Sequence, residues 1–311
     1  MSRRWFPHSL RPKDAVALLA PSSDGKPELT QGAVKYLESE GLRTKVYPSV
    51  SAKWSMYAGT EEARVADLMS AVEDPEIKMI LCVRGGYGAF RLTGMIDWRK
   101  VVRARKLLCG FSDITALHCA IQSAGGISLY GPNGETFARP RADWTLESFH
   151  NAIFGGDPLT PRSPAGTMLV PGKASGILTG GCLTLLSDSM GTPWATDCRG
   201  KIVLIEDINE RPHRIDAMMT NLLNAGNLAK AKGVVVGVMR GTDEKRDAPE
   251  DPTWIEIIKD RVGGLGIPVI TGYPFGHVAE MVTLPLGARV QMDAESGRIK
   301  MLERHTLAAG A

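Results

Sequence analysis

Three side chains of the types that make an activated nucleophile stand far apart in this sequence: Ser112, Glu206 and His277. Ser112 follows the apolar Leu107-Leu-Cys run and a Gly110-Phe111 turn. Ile114, Leu117 and Ile121 then recur at helical spacing until Gly125-Gly126. A serine at a strand-to-helix turn has an exposed hydroxyl with unpaired helix-start N–H groups beside it. Such N–H groups suit the oxyanion of acyl transfer, although the same position also suits an ordinary N-cap serine. Glu206 ends the run Lys201-Ile-Val-Leu-Ile205, and His277 closes the loop that follows Ile267-Pro-Val-Ile270. Each alone reads as a loop residue; together they supply nucleophile, base and orienting carboxylate. The order Ser, Glu, His is that of α/β-hydrolases. Ile114, however, stands where their G-x-S-x-G elbow needs glycine, which disfavours a lipase or esterase. Asp207 adjoins Glu206, and successive strand residues point to opposite faces, so one of the two carboxylates faces the cleft. The strand run itself does not say which.

Other candidates carry less. Arg84-Gly-Gly-Tyr-Gly88 lacks both the Lys-Ser/Thr of a phosphate loop and G-x-G-x-x-G spacing, so no nucleotide cofactor is expected. Its paired glycines suit a backbone N–H approaching a substrate oxygen. His118 is near Ser112 in sequence but lies six helical residues on, roughly 9 Å along the axis. It also shares the apolar face of Ile114, Leu117 and Ile121, as a core histidine would. His213 with Glu210 and Asp216 has no second His or Cys at ligand spacing, so no metal is expected there.

These residues need strands to carry them. Ala15-Val-Ala-Leu-Leu-Ala20 and Lys78-Met-Ile-Leu-Cys-Val83 read as buried strands. Helices are expected over Ala33–Glu40 and from Thr60 onward, with Glu62 near capping-box spacing. Strand and helix alternating in this way predict an α/β fold with a parallel sheet covered on both faces, of Rossmann or flavodoxin-like type. Ligands then gather at the carboxyl ends of the strands, where both the Arg84 loop and Ser112 fall. A Gly, Pro, Ser and Thr-rich stretch is expected to link two domains, giving 1–154, a linker over 155–174, and a second α/β domain over 175–311. The site would lie at their interface.

Composition narrows the class. The 37 basic and 34 acidic residues nearly cancel and form no basic block, so nucleic acid is not an expected partner. No apolar run approaches the ~18 residues of a membrane span. Ser2-Arg-Arg-Trp-Phe6 is followed by Pro7 and charged Arg11-Pro-Lys-Asp14, where an export signal needs an apolar segment. The five cysteines are odd in number and form no CxxC pair, as in a reducing compartment, so the cytoplasm is expected.

Taken in order, Ala20-Pro-Ser22, Tyr57-Ala-Gly-Thr60, Arg84–Gly88, Gly110–Thr115 and Gly131-Pro132 resemble the LD-carboxypeptidases, serine peptidases of the murein tetrapeptide type. Gly180-Gly181, Leu204–Asp207, Arg214-Ile-Asp216, Gly276-His277 and Leu284–Gly287 continue the resemblance, which spans about residues 12 to 295. It implies Ser112 as nucleophile, His277 as base and Glu206, rather than Asp207, as its carboxylate. It further implies an oxyanion hole from the backbone N–H groups of Gly86 and Asp113, no metal or other cofactor, and a homodimer. The implied reaction cuts the bond between an L-centre diamino acid and terminal D-Ala in recycled cell-wall peptide. Cys182 replaces the Asn that commonly follows the glycine pair, and His213 and Ala217 replace Tyr and Arg, changes that bear on substrate recognition. A rival within the family is the microcin C immunity peptidase, which cuts a peptidyl-nucleotide and would need an aromatic platform. Residues 155–193 hold no Phe, Tyr or Trp. A non-catalytic peptide-binding protein would need no such nucleophile.

Overall fold

The computed structural model describes residues 4–308, so Ser2 and Arg3 of the Ser2–Phe6 stretch lie outside the described residues. Its strands are β1 (Ala15–Leu19), β2 (Arg43–Val46), β3 (Ile77–Cys82), β4 (Leu107–Gly110), β5 (Ser128–Tyr130), β6 (Thr167–Val170), β7 (Lys173–Cys182), β8 (Ile202–Ile208), β9 (Gly233–Arg240), β10 (Val269–Thr271), β11 (Leu284–Leu286), β12 (Arg289–Asp293) and β13 (Arg298–Met301). They form two sheets.

The first sheet has the order β11-β5-β4-β3-β1-β2, with β1 to β5 parallel and β11 antiparallel at the edge. Strand order 2-1-3-4-5 is the flavodoxin-like doubly wound arrangement. Alternation along β1 explains the covering on both sides. Ala15, Ala17 and Leu19 pack with the helices Glu61–Glu73 and Thr115–Ser123, while Val16 and Leu18 pack with Pro27–Ser39 and Asp143–Phe154. A strand buried on both faces reads as a continuous apolar run, as this one does.

In the second sheet the order is β13-β12-β7-β8-β9-β10-β6, with β7 to β10 parallel. Val203 and Ile205 of β8 face the helices Pro212–Asn224 and Trp254–Val262. Ile202 and Leu204 face the other way, against Tyr130, Leu284 and Leu286 of the first sheet. This shared apolar layer holds the sheets together and sets Glu206 opposite β5.

Two local expectations differ from what is observed, and one strand carries no signal in the sequence. β6 falls inside the segment read as a linker and pairs antiparallel with β10. Short and bounded by glycines, it carries little period-2 signal. β11 returns from the second half of the chain to the edge of the first sheet; its Pro285 suits an edge strand but masks the strand pattern. At the helix Glu61–Glu73, Thr60 is a simple cap accepting from the Ala63 N–H at 3.3 Å, and the reciprocal capping box occurs instead at Thr253–Glu256.

Candidate active site

Ser112 opens a short 3-10 turn, Ser112–Ile114, directly after β4 and before the helix Thr115–Ser123. Its φ is 66°, in the left-handed region that costs a non-glycine residue free energy. Two side chains pin this conformation: Asn133 Oδ1 accepts the Phe111 N–H at 3.1 Å, and the Tyr130 hydroxyl accepts the Ser112 N–H at 3.3 Å. The strained turn lifts the serine hydroxyl toward the second sheet without the glycine elbow of α/β-hydrolases.

There the Ser112 Oγ lies 3.0 Å from His277 Nε2. The other imidazole nitrogen, Nδ1, lies 2.7 Å from Glu206 Oε2, which also accepts the His277 backbone N–H at 3.1 Å. An ionised carboxylate only accepts, so Nδ1 carries the proton and Nε2 is left to accept from the serine. Gly276 makes this approach feasible. It adopts φ 83°, and a Cβ there would fall 2.3 Å from the Glu206 carboxylate. Burial pushes the His277 pKa down, but the charge and hydrogen bond of Glu206 push it up, and the net shift is upward. Phe111 meets the imidazole edge-on, at 5.1 Å between ring centres, and limits its rotation.

Glu206 is fully buried near the carboxyl end of β8. Its second oxygen accepts the Tyr130 hydroxyl at 2.5 Å. Burial, then the charge of Glu206, holds the Tyr130 phenol well above its ordinary pKa, so it remains a donor. Asp207 points elsewhere, as alternation requires: it accepts the Thr184 N–H at 2.8 Å, the Thr184 hydroxyl at 2.9 Å and the Ile208 N–H at 2.8 Å. Burial and then the Glu206 charge raise its pKa to about 6.

The glycine loop abuts the serine from the β3 side. A Cβ on Gly85 would lie 2.8 Å from that of Ser112. Gly86 has φ 103° and presses on Ser23, whose Oγ accepts the Tyr87 N–H at 3.1 Å. Two buried side chains fasten this loop, and neither is marked by a motif in the sequence. The Asp113 carboxylate accepts the Ala89 N–H at 2.8 Å; buried Arg64 donates to the carbonyls of Pro21 at 2.8 Å and Gly88 at 3.1 Å. The family resemblance implies a role for the Asp113 backbone alone; its side chain acts on a loop distant in sequence. Tyr130 is likewise unmarked. Its place at the end of β5, just before Gly131-Pro132, is the signal that would have found it.

The remaining candidates lie apart. His118 is fully buried, bonded to Ser128 Oγ at 2.8 Å and the Gly110 carbonyl at 2.9 Å; burial lowers its pKa to about 4. His213 and Asp216 line an open cleft of ≈ 680 Å³ beside the helix Pro212–Asn224, while Glu210 faces Arg214 at 4.0 Å. Among the described residues no three His, Cys, Asp or Glu side chains gather closely enough to hold a metal ion. Cys182 is buried opposite Glu206 in the β7–β8 register, and its N–H donates to Thr115 Oγ1 at 3.1 Å.

A serine on a strained turn, an imidazole and a buried carboxylate are joined by hydrogen bonds across two α/β sheets, the arrangement that a serine hydrolase uses. The family models give the narrower identity. The LD-carboxypeptidase N-terminal domain matches residues 16–131, and the LD-carboxypeptidase C-terminal domain matches residues 175–292. The chain is 34% identical over 304 residues to a Bacillus subtilis protein named "Probable murein peptide carboxypeptidase", covering 94% of this chain and 92% of that one. It is 28% identical to the murein tetrapeptide carboxypeptidase of Pseudomonas aeruginosa, over 88% and 91% of the two chains. The crystal structure of muramoyltetrapeptide carboxypeptidase from Oxalobacter formigenes superposes with a TM-score of 0.80 at 30% identity, covering 92% of this chain and 97% of that one. A microcin C7 self immunity protein shares the fold with a TM-score of 0.88 at 22% identity, over 97% and 99% of the chains. This chain belongs to the LD-carboxypeptidase family.

Proposed function

We propose that the chain is a serine LD-carboxypeptidase that removes terminal D-Ala from murein tetrapeptide by cutting its bond to the L-centre diamino acid. The observation that carries this reading is the chain of hydrogen bonds Ser112 Oγ, His277, Glu206, with 3.0 Å and 2.7 Å between the paired atoms. His277 Nε2 takes the Ser112 proton as the oxygen attacks the scissile carbonyl carbon. Glu206 holds the imidazole in the required tautomer and stabilises the imidazolium. The carbonyl oxygen, now an anion, is met by the backbone N–H groups of Asp113 and Gly86. Collapse of the tetrahedral intermediate expels D-Ala, whose nitrogen takes the proton from His277. Water then attacks the acyl-enzyme with His277 again as base, and the tripeptide leaves. No metal is needed for any of these steps.

The names of the Bacillus and Pseudomonas relatives favour murein peptide as substrate. The microcin immunity proteins are similar in fold alone, and residues 155–193 offer no aromatic ring for a base to stack on. Division of the chain at 154 and 175 into a nucleophile-bearing domain and a domain carrying Glu206 and His277 fits the two family matches. Action on recycled peptide in the cytoplasm, by a homodimer, completes the proposal; cell fractionation and sedimentation test these two points. The reaction itself is tested by mass spectrometry of muropeptide tetrapeptide after incubation. Loss of one alanine is expected, and an unchanged tetrapeptide alongside a cleaved peptidyl-nucleotide would select the rival substrate.

A further inference from the structure

A carboxypeptidase distinguishes the end of a peptide from its interior by the terminal carboxylate. That group has a fixed place relative to the scissile bond, because N–Cα and Cα–C bonds keep its carbon about 2.5 Å from the departing nitrogen. The same nitrogen must receive a proton from His277 Nε2. A cation that pairs with the carboxylate therefore has to lie within a side chain's reach of this imidazole.

Most arginines on the surrounding loops are already matched. Arg84 donates to the Asp24 carbonyl at 3.0 Å and faces the carboxylates of Asp24 at 4.0 Å and Glu135 at 3.8 Å. Arg141 donates to the Ala279 carbonyl at 2.8 Å and faces Glu280 at 4.0 Å. Arg240 differs. It is the last residue of β9 and is exposed, and among the described residues no carboxylate stands within 4.0 Å of it. Its Nη1 reaches the main-chain carbonyl of His277 at 3.4 Å, long enough to exchange readily for a charged acceptor. After burial, which is the larger influence, the Arg240 charge also works to keep the proton off His277. A guanidinium with no carboxylate partner among the described residues, bonded to the main chain of the residue whose imidazole would protonate the leaving nitrogen, matches the carboxylate of a departing amino acid in charge and planar shape.

We propose that Arg240 binds the C-terminal carboxylate of the substrate and so makes the site select chain ends. This rests on the hydrolase reading given above. The test compares tetrapeptide bearing a free terminal carboxylate with its C-terminal amide, for wild type, Arg240→Gln and Arg240→Lys, with melting temperatures recorded to confirm folding. Wild type is expected to favour the acid by roughly 10- to 100-fold in kcat/KM, the range of a charge-assisted hydrogen-bonded pair. Arg240→Gln brings the ratio to within about threefold of one, mainly through KM for the acid, and Arg240→Lys restores part of it. An Arg240→Gln ratio equal to that of wild type, or a wild type indifferent to the amide, overturns the proposal. Both peptides are also titrated calorimetrically onto Ser112→Ala with and without Arg240→Gln. A preference for the acid that disappears with Arg240 supports the assignment and an unchanged preference refutes it. A wild type that cleaves neither peptide refutes the hydrolase reading, and the titration still decides Arg240.

Discussion

The Tyr130 hydroxyl donates to Glu206 Oε1 at 2.5 Å and accepts the Ser112 N–H at 3.3 Å. One phenol at the end of β5 thus joins the serine turn of the first sheet to the carboxylate of the second. Tyr130→Phe leaves a buried carboxylate oxygen without its donor, at a cost of about 1–3 kcal/mol. We expect kcat to fall roughly tenfold with KM little changed, because the phenol touches the groups that position the imidazole rather than the peptide. Steady-state kinetics with a denaturant titration checks both parts.

Glu206 and Asp207 differ in what they hold, and their amides should differ accordingly. Glu206→Gln is expected to lower kcat by about 10³- to 10⁴-fold, since an amide can present a donor to Nδ1 and fix the wrong tautomer. Asp207→Asn disturbs the Thr184 and Ile208 contacts and should act mainly on stability. The comparison is kcat against melting temperature for both variants. A larger loss of kcat in Asp207→Asn at equal stability refutes the assignment.

The proposed role of His277 as general base sets the sign of the pH dependence. The neutral imidazole is the active form, so kcat/KM should rise with pH and reach half its plateau above the ordinary imidazole value, burial being outweighed by Glu206. Glu206→Gln removes the charge that raises the pKa, and the residual activity should titrate at lower pH. A profile that does not move in this variant separates Glu206 from the titrating group.

His118 has the opposite shift and a structural consequence. Burial lowers its pKa to about 4, whereas the unfolded chain binds its proton near 6.5. The unfolded state therefore holds more protons between these values, and stability falls as pH drops through that window, by an amount on the order of 3 kcal/mol. Urea unfolding at pH 7 and pH 4.5 measures the loss, which His118→Gln should reduce.

Chelation gives a further check. The proposed nucleophile, base and oxyanion donors all belong to the chain, so dialysis against a strong chelator is expected to leave the rate unchanged. A loss restored by zinc would point instead to the cleft at His213 and Asp216.

The apolar strands β1, β3, β4 and β8 were legible because burial on both faces leaves an unbroken hydrophobic run, and a loop at a strand's carboxyl end is where ligands collect. Position at a strand's end marks Ser112, the glycine loop and the adjoining Glu206 and Asp207, while the choice of Glu206 over Asp207 comes only from the family resemblance. Position could not reach Tyr130, Asp113 or Arg64, whose importance lies in partners brought near only by folding. Nor did it show β11, where three residues cross back to the first sheet after the His277 loop. The φ of 66° at Ser112 was hidden as well, since nothing in Gly110-Phe-Ser-Asp specifies a left-handed serine.

The most direct test of the account is the rate of alanine release from murein tetrapeptide by wild type and by Ser112→Ala, with melting temperature confirming that both are folded. The variant is expected to keep its fold and lose activity by at least ~10³-fold, the remainder coming from binding and the oxyanion site alone. A variant that retains more than about a tenth of the wild-type rate would contradict it and leave Ser112 as no more than the residue that begins a helix.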